Sequence, residues 1–122
     1  MLRTGVDIIE ISRVHAVLQR WGDRFKRRIF TEEELRYSKD RAPQLAARFA
    51  AKEATMKLLG TGIRGVGWKD IEVVRQRGRA PEIVLHSRAK VMSDKLGVSE
   101  ISLSISHSRE YAISFVVGLS ER

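Results

Sequence analysis

The sequence predicts an α+β fold in which a largely antiparallel sheet is packed by one long helix. Three observations carry that prediction. Residues 2 to 11, Leu2-Arg3-Thr4-Gly5-Val6-Asp7-Ile8-Ile9-Glu10-Ile11, are a β-branched stretch suited to a strand, interrupted by Gly5. Pro43 opens a run of strong helix formers that reaches about Leu59 and is stopped by Gly60-Thr61-Gly62. Further on, Ile101, Leu103 and Ile105 alternate strictly with Ser102, Ser104 and Ser106, which is the period of a half-buried strand. With 122 residues and no linker, repeat or low-complexity tract, residues 1–122 read as a single compact domain.

The remaining elements follow in order. Ser12 is placed to cap a short amphipathic helix from Arg13 to about Trp21, where Val14, Val17, Leu18 and Trp21 recur at helical spacing and Gly22 is the stop. Thr31-Glu32-Glu33-Glu34 has capping-box spacing and predicts a helix over about 32–39. Asp70 to Arg75 and Glu82 to His86 read as two short strands around Gly78-Arg79-Ala80-Pro81. Ser87 is the expected cap of a helix running to Leu96. Tyr111 to Leu119 is an almost continuously apolar strand, which predicts cover on both of its faces.

Composition excludes several classes of function. The chain has no cysteine, so disulfides, thiolate metal sites and a cysteine nucleophile are ruled out, and any metal is held by oxygen or imidazole. No apolar run approaches the roughly 18 residues of a spanning helix, and the N-terminal residues lack a signal-peptide layout, so the expected location is the cytoplasm. Lys and Arg number 23 against 15 Asp and Glu, a net charge of +8 that favours an anionic partner. Much of that charge is local: Arg13, Arg20, Arg24, Lys26, Arg27 and Arg28 face only Asp23 in the same stretch. Such a run is either a solvated face or a dock for phosphates or an acidic helix.

Four features can carry chemistry, each with a plain structural alternative. Asp7 stands in an apolar context where an unpaired carboxylate costs several kcal/mol, unless it caps a turn or faces solvent on an edge strand. Glu53 shares a helical stripe with Ala46, Ala50, Lys57 and Gly60, while Leu45, Phe49, Met56 and Leu59 read as the core face. Small residues in that stripe allow a backbone or ligand to approach; the alternative is a solvated Glu53–Lys57 pair of about 0.2–0.5 kcal/mol. Lys57 with Gly60-Thr61-Gly62 is either a phosphate cradle or a plain helix end, and the negative end of the helix dipole opposes an anion there. His107 closes the alternating strand in a hydroxyl-rich setting, as a structural or a functional histidine.

Taken together, three blocks are more specific than any one residue: Gly5-Val6-Asp7-Ile8-Ile9-Glu10, then Arg48-Phe49-Ala50-Ala51-Lys52-Glu53-Ala54 with Lys57 and Gly60-Thr61-Gly62, then Ser104-Ile105-Ser106-His107-Ser108. In this order, and with Phe30-Thr31-Glu32-Glu33-Glu34 between them, the chain closely resembles the holo-[acyl-carrier-protein] synthase family, the short-chain 4'-phosphopantetheinyl transferases of bacteria. The resemblance spans nearly the whole chain and implies the 4'-phosphopantetheinyl transferase-like fold. It implies transfer of the phosphopantetheine arm of coenzyme A to a serine of apo-acyl carrier protein, with release of adenosine 3',5'-bisphosphate, in support of fatty acid biosynthesis.

The same resemblance implies roles. Asp7 and Glu53 are the expected magnesium ligands, a donor set that suits an ion commonly held by one or two carboxylates and substrate phosphates. Lys57 is the expected catalytic cation, and Arg48, Lys57, Gly60, Thr61, Gly62 and His107 the residues that bind coenzyme A. Arg48 lies about 140° from Glu53 on the helical wheel, so it serves a different phosphate or a neighbouring subunit's site. The general base is left open between a water of the ion's shell, Glu53 and His107. Arg13 and Arg20 are the contacts expected for the acidic carrier protein, and a homotrimer with sites between subunits is implied. Two rival readings need different tests. One is a nucleic-acid-backbone binder, supported by charge alone because no strand shows the aromatic pairs that base stacking needs. The other is a magnesium-dependent phosphohydrolase using the same carboxylates with water. No nucleic-acid or membrane partner is expected.

Overall fold

The β-branched N-terminal stretch forms β1 (Leu2–Glu10), which runs through Gly5 without a break. Gly5 is there for proximity. A Cβ at this position would lie 1.8 Å from the Ala54 carbonyl oxygen, so only glycine lets the strand lie against the long helix so closely. That helix, α4 (Ala42–Leu59), carries Pro43 in its first turn and ends at Gly60 in the left-handed conformation, φ 71°. The predicted core face holds for Leu45, Met56 and Leu59, but burial extends much further, with Ala46, Ala50 and Ala54 also sealed. The structure, a computed structural model describing residues 1–76 and 78–121, explains why: α4 is central and is packed by elements on several sides.

Around it the chain folds as an α+β structure. α1 (Ile11–Trp21) follows β1 directly, and α2 (Asp23–Ile29) resumes after the single residue Gly22. α3 (Glu32–Ser38) precedes α4; β2 (Ile71–Val74), β3 (Glu82–Leu85), α5 (Ser87–Leu96), β4 (Val98–His107) and β5 (Tyr111–Ser120) follow it. β1, β5 and β4 form one antiparallel sheet in that order, and β2 pairs antiparallel with β3 in another. On β5 the residues turned to the helix, Ala112, Ser114, Val116 and Gly118, are small or slender and buried, and Ser114 Oγ donates 2.9 Å to the Ala47 carbonyl inside the core.

Several sequence expectations shift once tertiary contacts act. Ser12 does not cap α1: the helix begins at Ile11, because the Ile11 amide donates 2.8 Å to Glu110 and the junction follows the β1–β5 pairing. Likewise Ser87 is not the cap of α5; it is the first helical residue, with φ 48°, after His86. Beyond Gly22 the chain forms a helix that is not among the predicted elements, α2, although Asp23 in its first turn and Lys26, Arg27 and Arg28 in its last suit the dipole of a helix. Among the described residues, β5 is covered on one face alone. Its other face exposes Tyr111, Ile113, Phe115 and Leu119 beside Val6 and Ile8 of β1.

The capping box at Thr31 and Glu34 forms as predicted and extends into the core. Glu34, 1 % exposed, accepts from the Thr31 and Val73 amides and pairs at 2.8 Å with fully buried Lys52. Lys52 also donates to the carbonyls of Trp68 and Ile71. This pair therefore ties α3, α4 and β2 together through hydrogen bonds that offset the desolvation of two charges.

Candidate active site

The contact at Gly5 decides where the carboxylates meet. With β1 held against α4 there, the strand's period of two turns Arg3, Gly5, Asp7 and Ile9 to the helix side. Asp7 is thereby brought to Glu53, and both line a cleft of about 420 Å³ with Arg13, Val17, Phe25 and Phe49. Of the two sequence readings for Asp7, neither turn cap nor solvent-facing edge residue applies: β1 is an edge strand, but Asp7 is on its covered side and only 19 % exposed.

Lys57 does not form the simple helical pair with Glu53. Its ammonium reaches across to β1, donating 2.9 Å to the Val6 carbonyl and lying 3.3 Å from Asp7 Oδ1. Burial pushes the Glu53 carboxyl above its ordinary value, and the nearby Asp7 charge pushes it further, while Lys57 opposes both. A half-buried carboxyl whose ionisation a second acid in the same cleft disfavours marks a site that a cation stabilises. Among the described residues no third acidic or histidine ligand joins them. The donor set is therefore oxygen-only and incomplete, as suits magnesium completed by water and substrate phosphate.

At the end of α4 the glycine loop has less free backbone than the sequence implied. The Gly60 amide donates 3.1 Å to Lys57 and the Thr61 amide 3.0 Å to Met56, so both close the helix. Gly62 has open space on its side-chain side, and the Thr61 hydroxyl faces the Gly62 carbonyl at 3.3 Å.

Arg48 is elsewhere. It is 4 % exposed, its Cζ lies 4.4 Å from the Tyr37 ring centre, and its Nε has no hydrogen-bond partner among the described residues. Burial lowers its pKa, opposed by the charge of Glu34. Arg41 and Arg75 approach the same Tyr37 ring, at 5.7 and 6.0 Å, and with Lys39 and Arg36 they edge a second cleft of about 560 Å³. The two clefts share no lining residue. His107 is exposed at the end of β4 and lines neither. Tyr37, Arg41 and Arg75, which line this second cleft beside Arg48, are not among the residues the sequence singles out.

On α1, Arg13 opens onto the carboxylate cleft, and Arg20 stacks 5.1 Å over exposed Trp21, whose ring Arg24 also approaches at 5.8 Å. No helix among the described residues is long and apolar enough to cross a membrane.

Comparison with known proteins places this arrangement. Residues 3–116 match the family described as the 4'-phosphopantetheinyl transferase superfamily. The chain is 46 % identical over 126 residues to a holo-[acyl-carrier-protein] synthase of Herpetosiphon aurantiacus, covering 98 % of this chain and 99 % of that one. It is 49 % identical over 117 residues to the protein of the same name from Dehalococcoides mccartyi, at 96 % and 98 % coverage. Among solved structures, Helicobacter pylori holo-[acyl-carrier-protein] synthase in complex with coenzyme A superposes with a TM-score of 0.86 at 32 % identity, covering 95 % of this chain and 99 % of that chain.

Proposed function

The chain belongs to the 4'-phosphopantetheinyl transferase superfamily, and from that membership we propose that it is a holo-[acyl-carrier-protein] synthase. It moves the 4'-phosphopantetheine arm of coenzyme A to a serine of apo-acyl carrier protein and releases adenosine 3',5'-bisphosphate. The observation that carries the proposal is the meeting of Asp7 and Glu53 in one cleft, with the Lys57 ammonium beside Asp7. Residues 1–122 act as one catalytic domain, in the cytoplasm, serving fatty acid biosynthesis.

In this reading Asp7 and Glu53 hold magnesium, which when bound neutralises charge on the diphosphate of coenzyme A. Lys57 swings its exposed ammonium from Val6 to a phosphate oxygen, a movement that costs little because the pairing it leaves is partly solvated. The Thr61 hydroxyl and the unobstructed backbone at Gly62 receive the same phosphates. Phe25, Phe49 and Val17 wall the cleft with apolar surface, which keeps water away as the serine hydroxyl attacks the β-phosphorus. Arg13 and Arg20 draw the acidic carrier protein to the cleft mouth and raise its rate of encounter.

Arg48 and His107 bind the far end of coenzyme A from a neighbouring copy, in a homotrimer. Two features support that assembly. The outer face of the β1–β5 sheet is apolar and exposed at Val6, Ile8, Ile113 and Phe115, and Arg48 packs on Tyr37, which lines a different cleft from that of Asp7 and Glu53.

Intact-mass spectrometry of apo-acyl carrier protein incubated with the chain, coenzyme A and magnesium tests the proposal. The expected result is a gain of one phosphopantetheine arm that EDTA abolishes. An unchanged carrier protein with accumulating adenosine bisphosphate would mark a phosphohydrolase instead.

A further inference from the structure

β1 delivers a second charged side chain to α4. Arg3 and Asp7 lie on the same side of the strand, two residues either way from Gly5, so one reaches the body of the helix and the other its C-terminal end. There Arg3 Nε donates 2.9 Å to the Leu58 carbonyl, one of the last-turn oxygens that α4 cannot satisfy internally. Its Nη2 lies 3.5 Å from where a Cβ on Gly60 would stand. No carboxylate among the described residues pairs with this guanidinium, so its Nη edge is left beside the loop.

The loop needs such a charge. A helix C-terminus repels anions, and the amides of Gly60 and Thr61 are engaged in closing the helix, so backbone donors at these two positions do not offset that repulsion. We propose that Arg3 is a diphosphate-binding residue of this chain: it neutralises the end of α4 and presents its free Nη edge to a phosphate oxygen seated over Gly60–Gly62. The proposal rests on the coenzyme A reading of this site and adds a residue outside the three motif blocks.

Titration calorimetry of wild type, Arg3→Gln and Arg3→Lys with coenzyme A and with dephospho-coenzyme A, at low and high salt, tests it. Loss of one charge-assisted contact predicts about tenfold weaker binding of both ligands by Arg3→Gln, with a shallower salt dependence. Arg3→Lys keeps most of the affinity, and the KM for carrier protein is unchanged in both. In the folded wild type, the Arg3 guanidinium nitrogen resonances, identified by their absence from Arg3→Lys, shift on adding dephospho-coenzyme A. That measurement decides the matter should Arg3→Gln fail to fold. Unchanged resonances, or wild-type affinity in Arg3→Gln with a lowered melting temperature, would reduce Arg3 to a helix cap. Failure of the wild type to bind either ligand would instead overturn the coenzyme A reading, and this one with it.

Discussion

At the scale of single residues, Glu53 shows how the cleft stores a preference for a cation. Burial, then the Asp7 charge, raises its pKa above the ordinary 4.5. In the pH range between those two values the folded state holds a proton that the unfolded state has released, so this group's contribution to stability falls as pH rises through that range. Glu53→Gln is therefore expected to melt higher than wild type at neutral pH in EDTA, with the difference closing below the carboxylate range. If Asp7 and Glu53 hold magnesium as proposed, the ion is expected to raise the melting temperature of wild type and to leave Glu53→Gln and Asp7→Asn unmoved, because binding then needs both carboxylates. Both variants lose transfer by at least about a hundredfold, the scale on which electrostatic groups at developing charge act. Scanning fluorimetry across pH, with and without the ion, reads the first two effects, and full activity in either variant sinks the metal assignment.

At the scale of elements, two contacts set the site, and both are about closeness. Gly5→Ala drives a Cβ into the Ala54 carbonyl at 1.8 Å, so strand and helix must separate; the expected cost is about 1–3 kcal/mol or more. Activity falls with it, since Asp7 moves away from Glu53. The buried Glu34–Lys52 pair behaves differently. Lys52→Met alone strands a sealed carboxylate and costs about 3–5 kcal/mol. Adding Glu34→Gln removes the unpaired charge, and the double variant recovers a large part of the loss. Denaturant titration of the four proteins in the cycle checks this; additive losses would show that the pair does not act as a unit. Trp68 depends on the same lysine. Lys52 holds its carbonyl at 3.0 Å, and the indole stacks 5.0 Å from Phe49, which walls the cleft.

At the scale of the molecule, charge and apolar surface lie on different faces. The basic surface on α1 and α2 faces out beside the cleft, so Arg13→Glu with Arg20→Glu should raise the KM for carrier protein far more than that for coenzyme A. An equal rise in both would place the dock elsewhere. The exposed sheet face carries Phe115, 43 % exposed, opposite Val6 on the adjoining strand. A charge there opposes burial against another copy, so Phe115→Glu should sediment as a monomer and lose transfer. A fully active monomer would refute sites shared between copies.

What the sequence determined by itself was what depends on local chemistry and period: the helix between Pro43 and Gly60, the capping box at Thr31, and the strict alternation at Ile101 to Ser106. Helix formers, caps and side-chain period act within a few residues, so they are legible without a fold. The candidate residues Asp7 and Glu53 were legible too, because acids in apolar or small-residue settings are conspicuous, and Lys57 because it precedes a glycine-rich loop. Tertiary structure decided the rest. That Lys57 turns to Asp7 and Val6 instead of Glu53 follows from the approach of β1 at Gly5, a contact between distant segments. That Arg48 stands over Tyr37, apart from the carboxylates, follows from how α3 packs on α4. That one face of β5 stays bare follows from the sheet having α4 on one side and nothing of this chain's described residues on the other. Each depends on which distant surfaces meet, and packing, which no local pattern encodes, chooses among them.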